Sequence, residues 1–310
     1  MTLTVGQTIY FVFRSRKDIA VSYRISVIGL PRSGKTALIS AIFDHIFHST
    51  AGEAFAPVGE KTIEKINNQI MLLDSRRTFG STKDEDIFIF RFLYYVKAIF
   101  FIARVRYEGE VVDFPGEMSD SLMRSADDGS IKDDIALFNK EFYSWILSSK
   151  VHVFVVDLAK FFLSEDRGAF AASRAAEMRK TWQVLNEEIN RVQRSSERRI
   201  ALVFTKADLS YYVSEENGKP IFTPESLESI HQFGYEQAPL SSGDTLRNRI
   251  SQNALESYVH TEFRSVITFF RGQKANFDVF FTSSYRDKDG DRLGVKELVN
   301  FVLPRSNVLS

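Results

Sequence analysis

The stretch Ile28–Leu38, IGLPRSGKTAL, sets two glycines, a lysine and a threonine between two apolar runs. Gly29, Gly34, Lys35 and Thr36 stand at the spacing G-x-x-x-x-G-K-[ST], behind a strand-like run, Tyr23 to Leu30, and ahead of a helical pattern, Ala37 to Phe47. Such a loop suits phosphate. Its glycines let the backbone curl so that the successive N–H groups of Arg32, Ser33, Gly34, Lys35, Thr36 and Ala37 converge on phosphate oxygens, and a helix N-terminus adds partial positive charge. Lys35 supplies a mobile point charge, and Thr36 offers a hydroxyl to Mg²⁺ bridging terminal phosphates. By average residue usage the pattern arises by chance in a chain of this length on the order of one time in a hundred.

Three further stretches could complete a nucleotide site. In VVDFPGE, Asp113 ends an apolar strand, where its carboxylate can hold Mg²⁺ through a water, and the Gly116 N–H can touch the outermost phosphate. In FTKAD, Thr205, Lys206 and Asp208 follow the run Ile200 to Phe204. An aspartate there can accept both N1–H and N2–H₂ of guanine, while the Lys206 stem packs over the base and braces the phosphate loop. Adenine has no such donor pair, and unpaired buried polar groups reject the wrong ligand by roughly 10⁴ to 10⁵. In FTSS, the N–H groups of Ser283 and Ser284 could face guanine O6. D-x-x-G, T-K-x-D and Ser-Ser are each common in turns. Their order counts for more, because each follows a predicted strand, the edge at which open α/β sheets bind ligands.

The elements that must position these residues are legible as apolar runs. Tyr23 to Leu30, Val151 to Leu158, Arg199 to Thr205 and Phe277 to Thr282 show little polar alternation, as strands covered on both faces do. Helical stripes separate them: Ile135, Phe138, Phe142 and Trp145; Met178, Trp182, Leu185, Ile189 and Val192; Ile250, Leu255, Val259, Phe263 and Val266. Alternating strands and helices predict an α/β fold with a mostly parallel sheet, helices on both faces and right-handed crossovers. Ile87 to Tyr95, Ile99 to Tyr107 and Glu110 to Asp113, with a break at Glu108-Gly109, predict one antiparallel hairpin strand added to that sheet. Thr50 to Asp86 and Ser210 to Asp244 read as polar loops. The expected layout is an extension over 1–22, a single nucleotide-binding domain over 23–303 with insertions at about 50–86 and 210–244, and a tail over 304–310.

GLPRSGKT, DFPGE, TKAD and TSS together resemble the P-loop GTPases of the Ras-like, translation-factor class, over about Tyr23 to Val302. More narrowly, DFPGE after a long hairpin is similar to the bacterial YcjX-like and double-GTPase families. The resemblance implies a GTP-binding switch that hydrolyses GTP to GDP and phosphate with Mg²⁺. It implies a metal set of Thr36, Asp113 and a loop threonine that also senses the γ-phosphate. Thr78 and Thr82, in RRTFGSTKDED, both qualify, and the sequence does not choose between them; Thr62 lies further off. Thr82 is carried forward with Lys35, Gly116 and Glu117 as the catalytic set. Ras-like enzymes commonly place a glutamine where this chain has Glu117, whose charge sits near a phosphate that is already negative. Arg32, Arg76 or Arg77 could neutralise transition-state charge, as could an arginine from a partner. The loops 50–86 and 117–130 would be ordered by the γ-phosphate and form the surface for a protein effector or activator. A homodimer is compatible with this reading.

Composition removes other classes. Of 310 residues, 44% are apolar and 26% charged, as in ordinary folding chains. Forty basic residues balance forty acidic ones, so no net field draws in nucleic acid or anionic lipid. There is no cysteine, and the five histidines show no metal spacing. Ile9 to Phe13 is followed rather than preceded by basic residues, and Ile87 to Ala103 is interrupted by Arg91 and Lys97; neither a signal peptide nor a membrane span is expected, and the expected location is cytoplasmic. Two alternatives stay open: a guanine-nucleotide-binding module that has lost hydrolysis, and a P-loop ATPase or small-molecule kinase. Too few residues remain for the stalk helices of a dynamin-like remodeler.

Overall fold

A computed structural model describes residues 19–48, 55–75, 88–97, 104–113, 140–192, 197–208, 213–216, 219–222, 252–286 and 291–304. Seven strands form the main sheet: β1 (Ile19–Gly29), β2 (Phe55–Pro57), β3 (Phe88–Lys97), β4 (Arg104–Asp113), β5 (Val151–Asp157), β6 (Arg199–Thr205) and β9 (Asn276–Thr282). Their order is β2-β3-β4-β1-β5-β6-β9, with β7 (Val213–Glu216) and β8 (Lys219–Phe222) pairing apart. The helices are α1 (Lys35–His48), α2 (Glu60–Asp74), α3 (Lys140–Ser148), α4 (Leu158–Leu163), α5 (Arg167–Val192), α6 (Gln252–Glu262), α7 (Arg264–Arg271) and α8 (Val295–Val302). All neighbours in the main sheet are parallel except those of β3, which runs against both β2 and β4. The fold is therefore α/β with a mostly parallel sheet and one antiparallel hairpin strand, as the runs predict.

Strand alternation splits the core into two layers. Ile28, Phe154, Val156, Leu202 and Phe204 face Trp182, Leu185, Phe263 and Phe270, while Val27, Val153, Val155 and Val203 face Leu38, Phe43, Leu298 and Val302. Full burial of such side chains is worth about 1.5–3 kcal/mol each, and both faces contribute. Both faces of β5 and β6 are covered along their whole length. The carboxyl ends of these strands are then the edge at which a ligand can reach polar side chains. Tyr23 Oη donates to the Val302 carbonyl at 2.7 Å, and Arg199 Nη1 donates to the carbonyls of Phe301 and Leu303 at 2.8 and 2.7 Å, so α8 is tied to β1 and β6.

Several expectations need correcting. The polar loop expected over Thr50 to Asp86 contains β2 and α2. The helix was hidden because two of its buried positions are polar: Thr62 and Gln69 alternate with Ile66 and Leu73, and Ser40 Oγ donates to Gln69 Oε1 at 2.7 Å. Glu108-Gly109 is no break. Gly109 lies inside β4 opposite Phe92, whose ring covers it so closely that a Cβ would stand 2.0 Å from Phe92 Cζ. Of the stripe Ile250 to Val266, Ile250 lies outside the described residues, and Leu255 to Val266 fall on two helices, bent at Phe263, whose ring packs edge-on to Phe161 and Phe204 at 5.4 and 5.0 Å. In the second insertion β7 and β8 pair antiparallel, Glu216 opposite Lys219; residues 210–212, 217–218 and 223–244 lie outside the described ones. β1 begins at Ile19 rather than Tyr23. Among the described residues no helix is long and apolar enough to cross a membrane.

His152, on β5, is fully buried with Ser26 Oγ 2.9 Å from Nδ1, Arg198 Nη1 3.5 Å from Nε2, and the Trp182 ring edge-on at 5.4 Å. Burial, reinforced by the Arg198 charge, pulls its pKa from 6.5 down to about 3. Between those values the unfolded chain binds the proton and the folded chain does not, so stability is complete above about pH 6.5 and is lost as pH falls towards 3. We expect His152→Gln to flatten the pH dependence of unfolding in urea between pH 6.5 and 4, by up to about 1.4 kcal/mol per pH unit relative to the parent protein.

Candidate nucleotide-binding site

The phosphate-loop motif leaves the carboxyl end of β1, the strand at the middle of the sheet. Arg32 and Gly34 both hold left-handed backbone, φ 59° and 86°, and between them Ser33 N–H donates to the Leu30 carbonyl at 3.2 Å. Gly34 supplies its conformation without steric cost, whereas Arg32 does not, so the loop stores some strain. A side chain at Gly29 would stand 2.8 Å from Ser33 Oγ and 3.0 Å from the Val155 carbonyl, so only glycine lets the loop fold back on β5. α1 starts at once, with Leu38 N–H donating to the Gly34 carbonyl at 2.8 Å. Lys35 is buried, its ammonium curled over the loop and donating to the carbonyls of Gly29 and Leu30 at 2.8 and 2.9 Å. That places a positive charge inside the curl.

Asp113, the last residue of β4, meets Thr36, the second residue of α1. The Thr36 hydroxyl lies 2.8 and 3.1 Å from the two carboxylate oxygens, across 77 positions of sequence. β1 delivers the chain to α1 in one core layer and, among the described elements, β4 is followed by α3 in the other, so the carboxyl ends of these neighbouring strands lie where the connections diverge to opposite faces. Burial pushes the Asp113 pKa up, and the Thr36 hydroxyl, Lys65 and Lys35 pull it back. Among the described residues no three histidine or carboxylate side chains cluster. One carboxylate and one hydroxyl, both hard oxygen donors, fit Mg²⁺, which keeps several waters and takes phosphate oxygens for the rest of its shell.

β6 and β9 bring the remaining motifs to the same rim. Thr205 Oγ1 donates to the Ser33 carbonyl at 2.8 Å, with the Val156 carbonyl at 3.3 Å, so T-K-x-D is stitched to the phosphate loop through its threonine. Lys206, itself left-handed at φ 62°, sends Nζ to Asp157 Oδ2 at 2.9 Å. Asp208 follows, half-buried. In the turn after β9, Ser283 N–H donates to the Leu293 carbonyl at 3.0 Å and Tyr285 N–H to Ser283 Oγ at 3.1 Å, which leaves the Ser284 N–H as the one a base could use.

Sequence reasoning missed two residues here. Asp157 ends β5, caps α4 by accepting from the N–H of Ala159 at 2.8 Å and Lys160 at 3.4 Å, and holds Lys206. Its signal was an acid at the close of a strand run, just ahead of an apolar helix. Lys160 Nζ donates to the Pro31 carbonyl at 2.6 Å, a second brace on the loop beside that of Thr205 on the Ser33 carbonyl. Burial lowers its pKa, Asp157 raises it, and Lys206, Arg32 and Arg174 lower it further. No motif includes it. Gly116, Glu117, Arg76, Arg77, Thr78 and Thr82 lie outside the described residues, as do 117–130. Thr62 is buried in α2.

A mostly parallel, doubly covered sheet whose central strand runs into a G-x-x-x-x-G-K-T loop and helix defines a P-loop-like α/β protein. No family model matches this chain, and no curated protein does.

Because burial raises the folded-state pKa of Asp113, the folded protein holds that proton more tightly than the unfolded chain, and stability falls as pH rises above the unfolded value of about 3.9. Asp113→Asn keeps an acceptor for Thr36. We expect it to raise the unfolding temperature of the protein free of metal and nucleotide at pH 7, with the gain shrinking towards pH 4, as differential scanning fluorimetry would record.

Proposed function

We propose that this chain is a guanine-nucleotide switch of the P-loop GTPase kind, binding GTP with Mg²⁺ and hydrolysing it slowly to GDP and phosphate. The carrying observation is a pair of long-range bonds, Thr36 to Asp113 and Thr205 to Ser33, which draw three separate motifs together at the carboxyl ends of β1, β4 and β6. Lys35 and the amides of the loop hold the β- and γ-phosphates. Thr36 and Asp113 hold the magnesium ion, which when bound neutralises charge on the terminal phosphates; Thr82 is the further ligand in this reading. Asp208 accepts from the guanine edge, and the Ser284 N–H reaches O6. Gly116 and Glu117 act at the outermost phosphate and the attacking water. Catalysis then rests on positioning and charge stabilisation rather than covalent chemistry.

Glu117, standing where a neutral glutamine is usual, favours a second reading in which the protein binds guanine nucleotide and turns it over too slowly to matter. Single-turnover hydrolysis separates the two. In either case the segments around 76–86 and 117–130 are the surface for an effector or activating protein, in the cytoplasm, where GTP and Mg²⁺ are supplied.

Isothermal calorimetry with GTP and GDP tests the core of the proposal, and absence of heat from pure folded protein defeats it. We expect Lys35→Ala to weaken GTP binding by about 100-fold or more, the worth of a charge-assisted contact in a buried site. We expect Asp208→Asn to move preference from guanine to xanthine nucleotides, since an amide donates where the carboxylate only accepts. Undiminished GTP preference in that variant refutes base reading by Asp208.

A further inference from the structure

The turn after β9 is held by an ion cluster that belongs to none of the four motifs. Arg292 is buried, with 2% of its side chain exposed, and all three of its nitrogens are engaged. Nε donates to Asp44 Oδ2 of α1 at 2.7 Å, Nη2 to Asp74 Oδ1 of α2 at 3.0 Å, and Nη1 to the Ser284 carbonyl. Arg286 closes the cluster from the solvent side, reaching Asp44 Oδ2 at 2.6 Å and Asp74 Oδ1 at 3.3 Å. Arg286 and Arg292 also bridge through their backbones, and Ser283 N–H is fixed on the Leu293 carbonyl. Gly294, φ 65°, completes the return: a Cβ there would stand 2.0 Å from the Phe281 carbonyl oxygen.

Burying charges is expensive, and a buried ion pair is often no more stabilising than apolar side chains of the same volume. A planar guanidinium does, however, fix three partners in one geometry, which an ammonium cannot. Here the three partners come from three elements, and one of them is backbone. With the Ser283 N–H held on Leu293 and the Ser284 carbonyl held by Arg292, the peptide between them, which carries the Ser284 N–H, has its orientation set from both sides.

We propose that Arg292 is a positioning residue for base recognition. Clamped by Asp44 and Asp74, it presents the Ser284 N–H to O6 of a guanine, and so serves as a specificity determinant of the site without touching the ligand. The assignment rests on the guanine-nucleotide reading above. It makes α1 a common brace, since the helix that begins in the phosphate loop also carries Asp44, and it hangs the base turn on the end of α2 through Asp74.

The test compares three triphosphates on the full chain: GTP; 2-aminopurine riboside triphosphate, which lacks O6 and the N1–H but keeps the 2-amino group; and inosine triphosphate, which keeps O6 and the N1–H but lacks the 2-amino group. The N1–H is lost equally in the parent and the variants, so the change in the first ratio between them reports O6. In Arg292→Lys, discrimination between GTP and the 2-aminopurine nucleotide should fall about tenfold, the worth of one hydrogen bond, while the ratio of GTP to inosine triphosphate stays within about twofold. Asp74→Asn, at a half-exposed carboxylate outside the four motifs, should give a smaller loss of the same kind and faster hydrogen exchange at the Ser284 amide without nucleotide; it carries the test if Arg292→Lys does not fold. If the unaltered protein discriminates on O6 and the variants that fold keep that ratio, the positioning role is overturned and the GTP reading stands. If it binds GTP without regard to O6, the role also falls. If it binds no guanine nucleotide, the underlying reading falls and takes this one with it.

Discussion

The hydrogen bond from Thr205 to the Ser33 carbonyl decides how the rest of the site is arranged. The phosphate loop holds two left-handed residues, and one of them, Arg32, bears a side chain. Such backbone persists only where the surroundings over-determine it. Thr205 grips the loop from β6, Lys160 grips Pro31 from α4, Lys35 folds back onto Gly29 and Leu30, and Gly29 lies flat against Val155. The loop's shape is thus a property of the sheet rim. A doubly covered parallel sheet makes that rim a natural meeting point, because β5 and β6 are buried along their whole length and the loops that follow them are where further polar groups can gather.

Buried charge follows a consistent pattern. Asp113, Lys35, Asp157 and the Asp44–Arg292 pair are nearly or fully inaccessible, and each has a partner reached through the fold. At Asp113 the partner is a neutral hydroxyl, which does not repay the cost of burial, and the pKa stays raised. His152 differs. It lies in the core away from the motifs, neutral and wedged between Ser26, Arg198 and Trp182, and its effect is on acid stability.

The architecture was readable where the code is simple. Continuous apolar runs gave away β1, β5, β6 and β9, and Met178, Trp182, Leu185 and Ile189 gave away α5, because a strand or helix buried on a sheet repeats with the period of its own backbone. α2 escaped because Gln69 is buried with Ser40 as its partner, a pairing 29 residues apart. Gly109 read as a break because the phenyl ring that covers it belongs to the neighbouring strand. In the same way, no local pattern marks Lys160 or Arg292, whose partners Pro31, Asp44 and Asp74 lie far off in the chain.

By itself, the sequence determined the strand-and-helix alternation, the glycine-rich turn between β1 and α1 and the order of the four motifs, all of which depend on residues near one another in the chain. Only tertiary structure decided that Thr36 faces Asp113, that Thr205 rather than Lys206 reaches Ser33 while Lys206 pairs with Asp157, and that Arg292 gathers Asp44, Asp74 and Ser284. Apart from Arg292 with Ser284, eight positions apart, these are pairings of common polar residues across tens to hundreds of positions. A hydrogen bond needs two groups within about 3 Å and well aligned, and no local pattern records which distant partner the packing of a sheet will bring within that distance.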